Sequence, residues 1–180
     1  MKKLTYSVLM IMTMSLFIGC DDDEPESATH GSLFVEDQEY PLSTALTEFI
    51  GEEDGLYHWR LILASGGLTF NESTGWYTGE GDYISFDLYA YENDSDNLPA
   101  EYYTAPPGTA GHAIDTESVA LGYQASNEES DELYETFDTQ FLTAVKNEDG
   151  TYTLNFEAVV EFDQIYGNYS GIVEMVDFSK

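Results

Sequence analysis

The feature that most constrains the fold is an alternation of apolar and polar residues with a period of two. In segment 152–162 the even positions hold Tyr, Leu, Phe, Ala, Val and Phe, while the odd positions are mostly polar. Segment 83–91 repeats the pattern, with apolar residues at its even positions. Because successive side chains of a β-strand point to opposite faces, both segments are predicted strands with one buried and one solvated face.

Shorter segments carry the same signal. Segment 137–145, in which Phe141 and Val145 share a face, is followed by an Asp-Gly turn signal at 149–150 and then by the strand at 152–162. This order predicts a β-hairpin. Further strands are predicted over 33–35, 40–42, 56–64, 119–123 and 169–176.

The remaining segments offer little evidence of helix. Segment 43–50 fits either a short helix or a strand, and segment 92–117 reads as a long loop rich in Pro, Gly, Asn and Asp. Many short strands without alternating helices predict an all-β chain with a single antiparallel β-sandwich domain over 32–180. A closed, lipocalin-like β-barrel is the alternative. About 150 residues can bury a core without disulfides.

The first residues read as a targeting signal. Lys2 and Lys3 precede a mostly apolar run, 4–18, which ends at Gly19-Cys20. A basic start, a short apolar stretch and a small residue before the cleavage point are typical of a secretory signal peptide, here 1–19. A transmembrane helix would need about 20 apolar residues. This run is shorter and is interrupted by Thr5, Ser7, Thr13 and Ser15.

The segment Leu-Phe-Ile-Gly-Cys at 16–20 resembles a bacterial lipobox. The resemblance implies that the Cys20 thiol is alkylated by diacylglycerol and that the chain is then held to a membrane by its lipid. Cys20 is also the one cysteine of the chain, so an exported protein of this sequence has no internal disulfide to form. We therefore expect Cys20 to be the lipidation site.

An acidic tether follows the cysteine. Segment 20–31 begins Cys-Asp-Asp-Asp-Glu-Pro-Glu-Ser, a block of like charge that favours an extended chain. The acid run resembles the export signal of Bacteroidota surface lipoproteins, which implies an outer-membrane protein that faces the cell exterior. Segments 98–104 and 167–171 resemble patterns of all-β lipoproteins from the same phylum, which implies the same fold class.

The charge of the mature chain limits its partners. Without residues 1–19, 3 Lys and Arg remain against 35 Asp and Glu, a formal charge of −32. Nucleic acids and anionic headgroups bind through basic side chains, so neither is an expected partner. We expect a neutral glycan, a cationic peptide of a protein partner or a calcium-bridged ligand.

Signals of catalysis are sparse. The sequence contains no G-x-S-x-G, H-E-x-x-H or P-loop motif, and its lone thiol is assigned to lipid. His30, His58 and His112 are spread along the chain without metal-ligand spacing. We therefore expect a non-enzymatic binding or interaction role. A carboxylate-based hydrolase acting on carbohydrate is one alternative, and a structural or adhesive surface subunit, which an open edge strand would support, is another.

One polar cluster could in principle hold calcium, which prefers hard oxygen ligands. The cluster does not match the EF-hand loop, because the glycine and the closing glutamate are missing at the required offsets. A polar turn explains it better, so no metal or cofactor is predicted. Its residues are Asn93, Asp94, Asp96 and Asn97.

Two aromatic pairs are the candidate ligand contacts. Trp76-Tyr77 lies between glycines, and Tyr102-Tyr103 adjoins the long loop. Adjacent residues of a strand face opposite sides, so one ring of each pair is expected to face solvent. If the pairs lie near each other, such rings would form a platform for a sugar or a peptide. Ordinary cross-strand packing is the alternative explanation of the same aromatics, and the favoured one.

Overall fold

The chain is all-β. The computed structural model describes residues 30–91, 97–104, 112–135, 137–160 and 163–177, of which none is helical and most lie in thirteen strands. The fold-class prediction is confirmed. In this described part, no helix is long and apolar enough to span a membrane.

The strands, numbered in chain order, have the following bounds. They are β1 Gly31–Val35, β2 Gln38–Leu42, β3 Thr44–Glu53, β4 Leu56–Ala64, β5 Leu68–Asn71, β6 Trp76–Ala90, β7 Tyr102–Thr104, β8 His112–Gln124, β9 Glu132–Tyr134, β10 Thr139–Lys146, β11 Tyr152–Val160, β12 Asp163–Gly171 and β13 Glu174–Met175. The first of these strands begins one residue before the predicted start of the domain at 32.

The strands pair in the order β13-β3-β4-β6-β8-β7-β10-β11-β12-β1-β2, with β5 added to β6 and β9 to β8. The β13–β3 and β7–β8 pairs are parallel, and the others are antiparallel. Among the described strands the series does not close on itself, so the closed barrel is not the fold. Phe86 of β6 and Phe156 of β11 do not pair, yet their rings meet edge to face at 5.5 Å. Two layers therefore face each other, as in a β-sandwich.

Local turn chemistry sets two of the hairpins. Glu36 and Asp37 both have positive φ, and so do Asp54 and Gly55. Two-residue turns of this kind match the twist of the strands that they connect. The first turn joins β1 to β2, and the second joins β3 to β4. Segment 43–50, predicted as either a helix or a strand, is therefore a strand.

The core lies between the two layers and uses the predicted faces of β4, β6 and β11. Its largest side chains include Trp59, Phe86 and Phe156, all of them buried. The predicted face of β10 needs correction, because Val145 is exposed while Leu142 and Ala144 are buried. Both faces of β10 carry apolar residues, so its pattern alone does not identify the inner one.

The predicted long loop is partly ordered strand. Segment 92–117 contains all of β7 and the start of β8, and His112 opens that second strand instead of lying in a loop. Leu98 is buried, and its carbonyl accepts a hydrogen bond of 2.8 Å from the Tyr152 hydroxyl. This contact fastens the segment to β11.

Candidate functional site

The first predicted aromatic pair lies at the start of β6. Tyr77 is half-buried, and its ring meets Phe70 at 5.6 Å. Burial raises the pKa of the Tyr77 hydroxyl, which finds no hydrogen-bond partner among the described residues. The side chain of Trp76 lies outside the described part, so its exposure stays a prediction.

The second pair lies on β7, and the expectation that Tyr103 contacts a ligand is wrong. Tyr103 is 0% exposed, and its hydroxyl donates a hydrogen bond of 3.0 Å to the carbonyl of Pro99. Burial raises the pKa of this hydroxyl. Tyr103 is therefore a core residue and not a ligand contact. The side chain of Tyr102 lies outside the described part, so its role stays a prediction.

The two pairs do not form one platform. On β8, His112 pairs with Tyr103, and the next residue pairs with Tyr89 near the end of β6. Tyr77 lies near the start of the same strand. The register thus places the pairs toward opposite ends of β6, and the predicted joint aromatic site is wrong.

A charged cluster occupies the outer face of β4 and β6. The Asp87 carboxylate lies 3.2 Å from Nε2 of His58 and 3.3 Å from Nε of Arg60. The imidazole of His58 also stacks on Tyr89, with 4.5 Å between ring centroids. One carboxylate thus lies between two basic groups within a half-buried network, which suits a role in holding the sheet face together. His58 is therefore a strand residue whose ring contacts both Asp87 and Tyr89.

The outer edge of β3 is paired over only a small part of its length in the described structure. This strand has 10 residues, and the only described strand on that side is β13, which has 2 residues. Pairing is parallel, at Glu174 with Leu46 and at Met175 with Thr47. The amide of Val176 donates a hydrogen bond of 2.8 Å to the carbonyl of Thr47. Most of the edge is therefore covered by no described strand.

Two openings flank β13, and together we name them the β3-edge groove. One, of about 220 Å³, lies beside Thr44 and Leu46 of β3 and is also lined by Phe70, Glu72 and Glu174. The other, of about 360 Å³, lies between residues 48–50 of β3 and residues 175–177 of the C-terminal segment. The described residues of the C-terminal segment thus cover the middle of the edge and leave space on both sides.

The β3-edge groove combines apolar surface with negative charge. Ile50 is 44% exposed and Met175 is 42% exposed, although both are large apolar residues. Carboxylates line the same groove at Glu48, Glu72, Glu174 and Asp177. The described part of the chain has two Lys or Arg side chains, of which Arg60 lies across from Glu48 on β4 and Lys146 contacts Asn97 on the other layer.

The described residues include no group of three or more His, Cys, Asp or Glu side chains that could hold a metal ion. Of the predicted polar cluster, Asn93, Asp94 and Asp96 lie outside the described residues, as does Cys20. Asn97 is described, and it accepts a hydrogen bond of 2.6 Å from Nζ of Lys146. His30 lies at the start of the sheet with its ring against Tyr169.

Sequence reasoning missed the β3-edge groove. Asp54-Gly55 is a two-residue hairpin signal, and it could have identified segment 43–50 as a strand. No local signal, however, tells that this strand lies at an edge. Comparison with family models, with curated proteins and with solved structures finds no match to this chain. The geometry of the groove is therefore the basis for its proposed role.

Proposed function

We propose that this chain is a membrane-anchored, surface-displayed lipoprotein with a non-enzymatic role, and that it binds a partner protein at the β3-edge groove. The observation that carries the proposal is the edge of β3, where a strand of 10 residues is paired with one of 2. Edge strands present unpaired backbone groups, which are a template for a strand from another chain. Proteins use this mode to bind extended peptides.

The apolar surface supports binding of a protein over binding of a sugar at this site. Ile50 and Met175 expose a large share of their side chains beside an open backbone edge. Apolar patches next to pairing groups favour strand addition, in which main-chain hydrogen bonds give affinity and side-chain pockets give specificity.

A heterologous partner fits the charge better than self-assembly does. An edge strand open to a partner also suits a structural or adhesive subunit built from identical copies. Each mature copy carries a formal charge of −32, however, and like charges of this size repel. A partner with positive charge would instead be attracted, so a different protein is the better candidate.

The proposed lipid anchor is separated from the domain by a short tether. The lipid is proposed on Cys20, and β1 begins at Gly31. About ten residues of extended tether reach at most roughly 35 Å, which is enough to hold the domain clear of lipid headgroups. Two or more acyl chains anchor a protein stably, since each buried CH₂ adds about 0.8 kcal/mol.

Site-specific cross-linking on intact cells tests the binding site. A photoreactive amino acid replaces Ile50, and the matched control replaces Val145, which is 48% exposed against 44% for Ile50 and lies on β10. We expect an adduct with a partner protein at position 50 and none at position 145. Equal adducts at both positions, or none at either, would contradict the proposal.

Anchoring and display are tested in the same cells. Cys20→Ala is expected to release the protein from membrane fractions and to remove the acyl mass. Protease added to intact cells is expected to degrade the wild-type domain. A wild-type domain that is protected on intact cells, yet is cleaved after lysis, would place the protein inside and remove surface display.

A further inference from the structure

Resting on the proposed function, we infer that the partner supplies an extended segment in which apolar residues alternate with Lys or Arg. This segment pairs with β3 and takes the place of β13. The inference names the chemistry of the occupant, whereas the proposed function names only the site.

The first argument is length. β13 pairs with Leu46 and Thr47 alone, and both of its residues, Glu174 and Met175, are exposed. Openings of about 220 Å³ and about 360 Å³ lie on either side of it along the same edge. A strand longer than β13 would fill both openings and satisfy more of the backbone of β3. The C-terminal segment, as far as residue 177, therefore covers this edge only in part.

The second argument is backbone direction. The carbonyl of Thr47 faces the edge, because it accepts a hydrogen bond from Val176. Backbone groups alternate in direction along a strand, so those of Ala45 and Phe49 face the same way. No proline interrupts β3. The register of β3 on β4 shifts after Phe49, so regular pairing with a new strand extends over residues 44–49.

The third argument is the side chains that an added strand would meet. Leu46 and Glu48 lie on the outer face of β3, where they pair with Ile62 and Arg60 of β4. Side chains of an added strand on this face would lie next to an apolar group and then a carboxylate. The groove also carries the carboxylate of Glu72 and the exposed apolar side chain of Ile50. Because successive side chains of a strand point to opposite faces, an alternating segment places its cationic residues on this outer face, beside the carboxylates, and its apolar residues on the inner face, beside Ala45 and Phe49.

The negative charge of the groove favours a cationic segment over an acidic one of the same shape. An acidic segment would approach a chain with a formal charge of −32, and its carboxylates would face those of the groove. Like charges on adjacent strands destabilise pairing, while opposite charges stabilise it. A cationic segment would also be steered toward the site, with an association rate that falls as salt is added.

The test uses the whole lipidated chain in detergent and a fluorescent peptide of 10 residues, the length of β3, in which Val and Lys alternate. Fluorescence anisotropy measures its binding, and two control peptides replace Lys by Glu or place one Pro at the centre. We expect the Val-Lys peptide to bind at least about tenfold more tightly than either control and to bind more weakly in high salt.

Variants of the chain locate the binding. Ile50→Lys should weaken the Val-Lys peptide about tenfold, while Val145→Lys, which adds the same charge on β10, should leave the affinity unchanged. A chain that lacks residues 174–180 should bind several-fold more tightly, because no tail has to be displaced. Circular dichroism and thermal unfolding check that each variant retains the β fold.

Three results would overturn the inference. They are equal binding of the Val-Lys and Val-Glu peptides, equal effects of Ile50→Lys and Val145→Lys, and dimerisation of the shortened chain in sedimentation, which would make a second copy the occupant. If the peptide fails while cross-linking at position 50 persists, the cationic chemistry is wrong and the proposed function stands. Loss of that site-specific cross-link removes both.

Discussion

The two edges of the sheet differ in how they are protected. β2 is short, with 5 residues, and it presents exposed Gln38, Glu39 and Pro41. The carbonyl of Leu42 accepts a hydrogen bond from the amide of His30, the residue before β1, so Pro41 faces the other way, toward the open edge. At the opposite end, β3 has 10 residues, no proline and an exposed Ile50.

One edge is therefore protected by its own sequence. The other is protected by the described C-terminal residues 174–177, which we call the cover. Proline cannot donate to a further strand, and charge beside it discourages pairing. β3 has no proline and relies on the C-terminal segment. A cover that pairs at two positions can be exchanged, whereas a proline cannot.

Both edges depend on one core, and the largest effect is expected there. Phe156→Ala removes a buried ring that packs on Phe86 and should lower the free energy of unfolding by about 3–5 kcal/mol. Phe34→Ala is the matched control, because Phe34 is half-buried and stacks on Tyr166 of the outer face. Urea unfolding followed by circular dichroism measures both. Equal losses would mean that the two layers do not share the core described above.

High pH should weaken the fold through its buried tyrosines. Burial, with Glu174 nearby, raises the pKa of Tyr169 from 10.0 to about 12, and burial raises those of Tyr77 and Tyr103 as well. The unfolded chain loses these protons from about pH 10, while the folded chain keeps them. The stability that these tyrosines contribute should therefore be constant below pH 10 and fall as the pH rises toward 12.

Absorbance of tyrosinate and urea unfolding at several pH values check this expectation. Tyr169→Phe should reduce the alkaline loss, and Tyr166→Phe, a change on a less buried ring, is the control. Because Glu174 belongs to β13, removal of the cover should lower the pKa of Tyr169. Unchanged titration in a chain without residues 174–180 would contradict the coupling between the cover and this residue.

A smaller loss of folding stability is expected when the pairing of the C-terminal segment with β3 is weakened. Val176→Pro removes the amide that donates to Thr47, a hydrogen bond of 2.8 Å, and should cost about 1 kcal/mol of folding stability. Val176→Ala keeps the amide and is the control. Hydrogen exchange should speed up at the C-terminal segment and leave the β1–β2 pair unchanged. Faster exchange at both edges would erase the distinction between them.

The smallest effect is expected at the protected edge. Pro41→Val restores an amide that faces the open side of β2, so self-association should increase slightly with little change in stability. The control is Pro41→Ala, which restores the same amide with a weaker preference for strands. Sedimentation at several concentrations measures association. A purely monomeric Pro41→Val chain would show that charge alone protects this edge.

The alternation of residues determined much of the fold. The inner faces of β4, β6 and β11 follow from a period of two, and the Asp-Gly signal at 149–150 predicted the β10–β11 hairpin. These features are local, because the faces of a strand depend on the order of its own residues. The backbone angles of a turn likewise depend on the turn residues. Segment 43–50 was ambiguous from its pattern alone, although Asp54-Gly55 beside it marked the hairpin.

Which residues are exposed to a partner depends on the tertiary structure and could not be predicted from the sequence pattern. Tyr103 and Ile50 are both large residues on strands, yet one is buried at 0% exposure and the other is 44% exposed at an edge. Their difference depends on the strands that lie beside them, and those strands are far away in sequence. Val145 and Leu142 differ for the same reason, since burial on β10 is decided by the opposite layer. A sequence pattern records periodicity along the chain, whereas strand order and layer contacts arise between segments that no local pattern connects.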